Sequence, residues 1–331
     1  MRYIVYGAGA IGGTLAGRLF QHGNDTVAIA RGPHGEALQR NGLTLADPDV
    51  TVTLPLPTVS HPSEVGFTDD DVVILAVKSQ DTAGALADLM ASAPPNIAVV
   101  CAQNGVENER LALRHTANVY GVCVMMPAGH LEPGTVIAYS TPTTGLLDLG
   151  RYPAGLDSLA EHITADFESS TFSARPSKTI MRSKYAKLLM NLGNALEAAC
   201  GPMRAGDAPE PTAVDLYRRA RREGQEVLAA AGLDVASDEE DATRRGDLLQ
   251  IRPVGEGGRG GGSSWQSLVR RTGSIEADHL NGEIVLLGRQ HGMPTPVNAL
   301  LQRVANRLAR TATPPGSLSA DDLRAQLGGL T

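Results

Sequence analysis

Lysine is nearly missing from this chain of 331 residues. Of 29 basic residues only four are lysine, Lys78, Lys178, Lys184 and Lys187, which leaves 25 arginines. A sequence that uses arginine for almost every surface charge retains lysine where arginine cannot serve. An ammonium releases its proton and shifts its pKa on burial, and a guanidinium does neither. Lys178 is read as drift; the other three fall in patterned segments. Cysteine is scarce too. Cys101, Cys123 and Cys200 are odd in number and lack metal-type spacing, so neither a disulfide framework nor a metal site is expected, and reduced, buried thiols in a reducing compartment are. Long apolar runs are lacking: stretches such as 72–77 have strand length, far below the roughly 18 residues of a membrane span. Basic runs are lacking as well, and a net charge of −7 argues against nucleic acid or an anionic membrane as the main partner. The opening "MRYIVYGAG" passes straight into a strand and a glycine turn, with no signal-peptide pattern, so a cytoplasmic protein is expected. A small molecule is left as the default partner, with a homodimer left open as the assembly.

What is present divides into two halves, as the length and 42% hydrophobic content allow. The segment "RYIVYGAGAIGGTLAGRLFQHGNDTVAIARG" runs from an apolar strand through Gly7, Gly9 and Gly12 into a helix and returns in a second strand over 26–30. In a βαβ unit the first glycine permits the tight turn, the second admits a pyrophosphate to the backbone, and the third lets the helix pack on the strand. The helix N-terminus then faces the phosphates. Gly7, Ala8, Gly9, Ala10, Ile11 and Gly12 are therefore candidate cofactor contacts. The second strand ends in "AIARG", with Arg31 where an NAD site has an acid and His34 close behind. Arginine suits a 2′-phosphate, so NADP(H) is the expected cofactor. "DVVILAVKSQDT" and "NIAVVCAQNGVEN" are two further strands ending in polar residues, and ligands bind beyond the carboxyl ends of parallel strands. Lys78, Gln103 and Asn104 thus become cofactor candidates, although Asn104-Gly105 is equally a common turn pair. "ANVYGVCVMMPAGH" and "GTVIAYS" are expected to continue the sheet, with "TGLLDLG" at its edge.

Near Pro176 the pattern changes from strands to helices, which gives a Rossmann-type doubly wound α/β domain over 1–176 and an all-helical domain over 177–331. The stretch 183–196, "SKYAKLLMNLGNAL", reads as one helix, apolar except for a stripe of Lys184, Lys187, Asn191 and Asn194. Such a stripe must face something polar. Asn191 follows Lys187 by one helical turn and can hold its ammonium, whereas the residue four after Lys184 is Leu188. Lys184 is expected to contact cofactor or solvent instead. A second helix is predicted over 212–231 with a solvated charged face. The run "VGEGGRGGGSS" is either a lid over 255–262 or a connection. "GSIEADHLNGEIVLLGRQHGMPTP" reads as a helix capped by Ser274, in whose first turn Glu276 and Asp278 suit the helix dipole. A short capped helix from Ser319 closes the chain.

From Met1 to about Arg310 the chain resembles the ketopantoate reductase (2-dehydropantoate 2-reductase) family, on "GAGAIGG", "AVKSQDT", "QNGVEN", "KYAKLLMNLGNAL", "SSWQSL", "EADHLNG" and "GMPTPVN" in that order. The resemblance implies an NADPH-binding domain, a helical domain and a substrate in the cleft between them. It also implies reduction of a 2-oxo acid to the 2-hydroxy acid. It puts the catalytic general acid on Lys187 and a catalytic carboxylate, touching substrate hydroxyl or cofactor, on Glu276. It gives substrate contacts to Asn104, Asn191, Asn194 and Ser264, with Ser263 as the alternative serine. The second asparagine follows the lysine by seven residues where the family commonly has eight, and Trp265, read as core, follows the serines. Two other readings stand beside this one: an NADP-dependent β-hydroxyacid-type dehydrogenase, which also carries a lysine and an asparagine four apart on a helix, and a catalytically silent NADP-binding sensor.

Overall fold

The computed structural model describes residues 1–201, 210–255 and 260–328. Among them, twelve strands occur in chain order: β1 (Arg2–Tyr6), β2 (Thr26–Ile29), β3 (Leu43–Ala46), β4 (Thr51–Leu54), β5 (Thr58–Val59), β6 (Asp71–Leu75), β7 (Ala98–Cys101), β8 (Val119–Met125), β9 (Ala128–Gly129), β10 (Thr135–Ala138), β11 (Gly145–Arg151) and β12 (Phe172–Ser173). Eight of these form one sheet in the order β12-β11-β8-β7-β6-β1-β2-β5. From β5 to β8 the strands are parallel, while β11 runs antiparallel to β8. Strand β1 shows why the sheet is doubly wound. Tyr3 and Val5 join one core with Leu15 and Leu19 of the helix Ala10–Gln21, and Ile4 and Tyr6 join another with Leu86 and Leu89 of the helix Thr82–Met90. Both faces are covered, so the strand reads as continuously apolar.

Two strands differ from the sequence reading. "GTVIAYS" does not continue the main sheet: β10 pairs with β3 and β9 in a second sheet of order β4-β3-β10-β9. The burial of β10 alternates, whereas every residue of β8 is buried, and alternation belongs to a sheet covered on one face. "TGLLDLG" is not the edge either, because the two-residue β12 pairs outside β11, and so short a strand carries no periodic signal.

The chain separates into two compact units. One comprises Met1–Lys184 with the described part of Ser237–Arg259, and the other Tyr185–Ala236 with Gly260 onward. The first division between these units falls inside the helix Ile180–Asn191, some eight residues after the change of pattern near Pro176, and a later segment belongs with the first unit. Long-range ion pairs hold that segment: Arg244 grips Asp148 at 2.7 and 2.6 Å, Arg182 meets Glu240 at 2.9 Å, and Arg252 meets Asp49 at 2.6 Å. No local pattern announces partners so far apart in sequence.

The second unit is helical. Its helix Pro296–Arg310 packs against Asn194–Cys200, Pro211–Ala230, Asn281–Gln290 and Ala320–Gly328. At Gly224 a Cβ would come within 2.6 Å of a Leu189 methyl and 3.0 Å of a Leu192 methyl, so a larger residue there would push these side-chain ends aside. The helix expected over 183–196 is in fact two, Ile180–Asn191 and Asn194–Cys200. Gly193 tightens the join, its N–H reaching back only three residues to Met190 O at 3.4 Å, while Leu192 O accepts from the Asn281 side chain at 3.1 Å. Glycine is a weak helix former, and a carbonyl satisfied from outside no longer needs the next turn. No helix among the described residues is long and apolar enough to cross a membrane.

Candidate active site

The turn after β1 has the geometry a dinucleotide loop needs. Gly7 adopts φ +100°, and a Cβ there would lie 2.7 Å from Val77 N; a Cβ on Gly12 would lie 1.9 Å from Gly7 O. Both positions demand glycine. Gly9, by contrast, has nothing within 4 Å of where its Cβ would stand, and the helix Ala10–Gln21 that it begins has no side-chain cap and no acid in its first turn. An open approach to uncapped helix N–H groups fits a pyrophosphate. His34 braces the loop: Gly134 N–H donates to its Nδ1 at 2.9 Å, so Nε2 carries the proton and donates to Ala8 O at 2.7 Å. The His130 ring packs against it, tilted by 52°, with the ring centroids 4.1 Å apart. Arg31 stands at the carboxyl end of β2, exposed, at the start of the helix Gly32–Asn41.

Lys78, Gln103 and Asn104 follow β6 and β7, Lys78 and Asn104 half-buried and Gln103 buried. Gln103 is a strut: its side-chain amide donates to Val77 O and to Thr82 Oγ1, each at 2.8 Å. Lys184 departs from expectation. It contacts neither solvent nor an open cofactor surface, because its Nζ lies 2.5 Å from Glu109 Oε1 and the two side chains are 2% and 0% exposed. It also donates to Gln103 O at 3.0 Å and Val122 O at 3.2 Å. Glu109 carries no sequence signal beyond its place in "QNGVENE"; the scarcity of lysine was the clue on the other side of the pair.

In the second unit Lys187 is half-buried and Asn191, one turn on, is buried. Asn194 starts the next helix, so the predicted stripe is interrupted after Asn191. Asn194 nevertheless lies beside the serine helix Ser263–Val269: its Oδ1 is 3.9 Å from where a Gly262 Cβ would stand, and Glu197 accepts from Gly262 N at 3.3 Å. Ser264 is buried, and Ser263 Oγ is buried with no hydrogen-bond partner among the described residues. Trp265 packs over Gly260 and Gly261, where a Cβ would meet its ring or its own Cβ at 2.5–3.1 Å. Residues 256–259 of the expected lid lie outside the described residues. Glu276 is buried on a short 3-10 turn, Glu276–His279, and not in a helix capped by Ser274; the α-helix proper begins at Asn281. Asp278 accepts from Gln302 at 2.7 Å and Asn306 at 2.6 Å, a tie between helices. Sequence reasoning missed Arg270: burial lowers its pKa, and the nearby Glu276 charge opposes that shift.

The doubly wound sheet and its glycine turn define a Rossmann-type dinucleotide-binding unit, followed by a helical one. Comparison with known proteins narrows the class. Residues 3–153 match the family model "Ketopantoate reductase PanE/ApbA", and residues 179–309 match "Ketopantoate reductase PanE/ApbA C terminal". The chain belongs to the ketopantoate reductase family, and it is an oxidoreductase of that type. A 2-dehydropantoate 2-reductase of Halobacterium salinarum is 28% identical over 304 residues, 90% of this chain and 95% of that protein. The crystal structure of a PanE/ApbA family ketopantoate reductase from Ralstonia eutropha JMP134 is 26% identical with a TM-score of 0.77, covering 94% of this chain and 99% of that one. A D-mandelate dehydrogenase solved with NADH and anilino(oxo)acetate shares the fold, at 23% identity, a TM-score of 0.79 and coverage of 94% and 99%.

Proposed function

We propose that the protein reduces a 2-oxo acid, ketopantoate or a close relative, to the 2-hydroxy acid with NADPH. The first unit holds the cofactor and the second supplies the acid and the substrate contacts. The reading is carried by one placement: Lys187 stays partly exposed one helical turn before the buried Asn191, while Lys184, a turn earlier, is buried against Glu109. Bound NADPH supplies the hydride to the carbonyl carbon. The Lys187 ammonium donates a hydrogen bond to the carbonyl oxygen, stabilises the negative charge developing there and transfers its proton to it. Asn191 orients that ammonium. Asn194 and Ser264 donate to the substrate carboxylate, and Glu276 accepts from the substrate hydroxyl. On the cofactor side, Gly7 to Gly12 receive the pyrophosphate, Arg31 the 2′-phosphate, and Lys78 and Asn104 the remainder.

The test is NADPH oxidation with a panel of 2-oxo acids that includes ketopantoate, run in parallel with NADH. Turnover with at least one acid is expected, and NADPH binding without any turnover would overturn the reductase reading in favour of a sensor. Cofactor choice has its own test. Arg31→Asp is expected to weaken NADPH more than NADH binding by roughly 1–3 kcal/mol, the range for a charge-assisted contact; equal losses would remove Arg31 from the site.

A further inference from the structure

The first unit seals a charged pair for which the proposed chemistry has no use. Moving two charges out of water usually costs more than their attraction returns, and apolar residues of similar volume often serve as well. The Lys184–Glu109 pair is imperfect besides, since neither Glu109 carboxylate oxygen nor the neighbouring Gln103 Oε1, all buried, has a hydrogen-bond partner among the described residues. What the pair holds is position. Lys184 grips the carbonyl of Gln103, whose amide reaches Val77 and Thr82. Thr82 Oγ1 donates to Asn108 Oδ1 at 2.8 Å, and Asn108 Nδ2 donates to Asn104 O at 3.0 Å and Ser79 Oγ at 3.3 Å. The turns leaving the carboxyl ends of β6 and β7 are thereby cross-linked into one body with Lys184 as its anchor. Gly121 of β8 lies under the anchor: a Cβ there would stand 3.2 Å from Glu109 Oε1 and 3.4 Å from Lys184 Cδ.

We propose that Lys184 and Glu109 are positioning residues for the nicotinamide half of the cofactor. With sheet order β5-β2-β1-β6-β7, a dinucleotide whose 2′-phosphate sits at the end of β2 and whose pyrophosphate sits at the β1 turn extends its nicotinamide end toward β6 and β7. Those are the turns that Lys184 locks. The pair therefore acts on one half of the ligand, and this inference rests on the cofactor reading above.

That asymmetry sets the experiment. Affinities for NADPH and for 2′,5′-ADP, which is the adenosine half alone, are measured by titration in wild type, Lys184→Met/Glu109→Leu and Gly121→Ala, with KM for NADPH alongside. The double variant strands no charge; it is expected to bind 2′,5′-ADP as wild type does and NADPH roughly tenfold more weakly, the worth of a lost hydrogen bond or two. Gly121→Ala presses on the pair without removing it. It is expected to weaken NADPH about threefold in the same pattern, and it decides the matter alone if the double variant does not fold. Unchanged NADPH affinity in a folded variant overturns the proposal, and so does an equal loss of both ligands, which marks a general effect. If wild type binds neither ligand, it is the cofactor reading that fails.

Discussion

Each unit buries a polar network, and the two are made of different groups. The first unit's is charged, a lysine and a glutamate at 2% and 0% exposure. The second unit's is mostly amide: Asn281 Nδ2 donates to Leu192 O at 3.1 Å and Asn298 Oδ1 at 3.0 Å, and Asn298 Nδ2 donates to Ala220 O at 2.9 Å and Glu223 at 2.8 Å. Glu223 also accepts from Val297 N and Asn298 N at 2.9 and 3.0 Å, which closes the first turn of the helix Pro296–Arg310. The Asn281 amide satisfies the Leu192 carbonyl just past the end of the helix Ile180–Asn191, whereas the lysine of the charged pair grips the carbonyls of Gln103 and Val122. Deleting one member should therefore strand a neutral group in the second unit and a full charge in the first.

The largest effect is expected from neither network but from Lys187. Lys187→Ala should lower kcat by roughly 10²–10⁴-fold with NADPH affinity nearly unchanged, and Lys187→Arg should restore little, because arginine keeps its proton. Near-normal kcat in both variants would move the acid elsewhere. Next comes Lys184→Met alone, which strands the Glu109 charge and should cost about 3–5 kcal/mol of stability. Chemical denaturation measures it, and a loss below that of Asn281→Ala would erase the distinction between the networks. Asn281→Ala itself leaves Leu192 O without its donor and should cost about 1–3 kcal/mol.

The smallest effect concerns pH. Burial alone would raise the Asp47 carboxyl, but the Arg18 guanidinium and the N–H groups of Val50 and Asp49 outweigh it and hold the group below the ordinary range. A lowered folded value means stability that is present above the unfolded pKa of about 3.9 and is lost as pH falls through the folded one. Acid melts of wild type should thus steepen below about pH 4, and Asp47→Asn should flatten that limb while lowering stability at neutral pH. An identical acid limb in both proteins would show that the pair contributes nothing.

Periodicity and glycine placement made the first half legible. Gly7 and Gly12 stand where any side chain would collide with backbone, and a continuously apolar strand such as β8 belongs in the middle of a covered sheet. The spacing of Lys187 and Asn191 was likewise readable, because both lie on one helix and a helix has a fixed period. Tertiary structure alone decided the rest. Lys184 and Lys187 share a helix face in the sequence, yet only folding brings Glu109, 75 residues earlier, and the Val122 carbonyl to the first of them. The break after Asn191 depends on Asn281, 89 residues away from Leu192, and the return of 237–255 to the first unit depends on Asp148 and Asp49. Local propensity acts within a turn or two of the chain, whereas a buried polar group is satisfied by whichever partner the packing delivers, and that choice belongs to the fold.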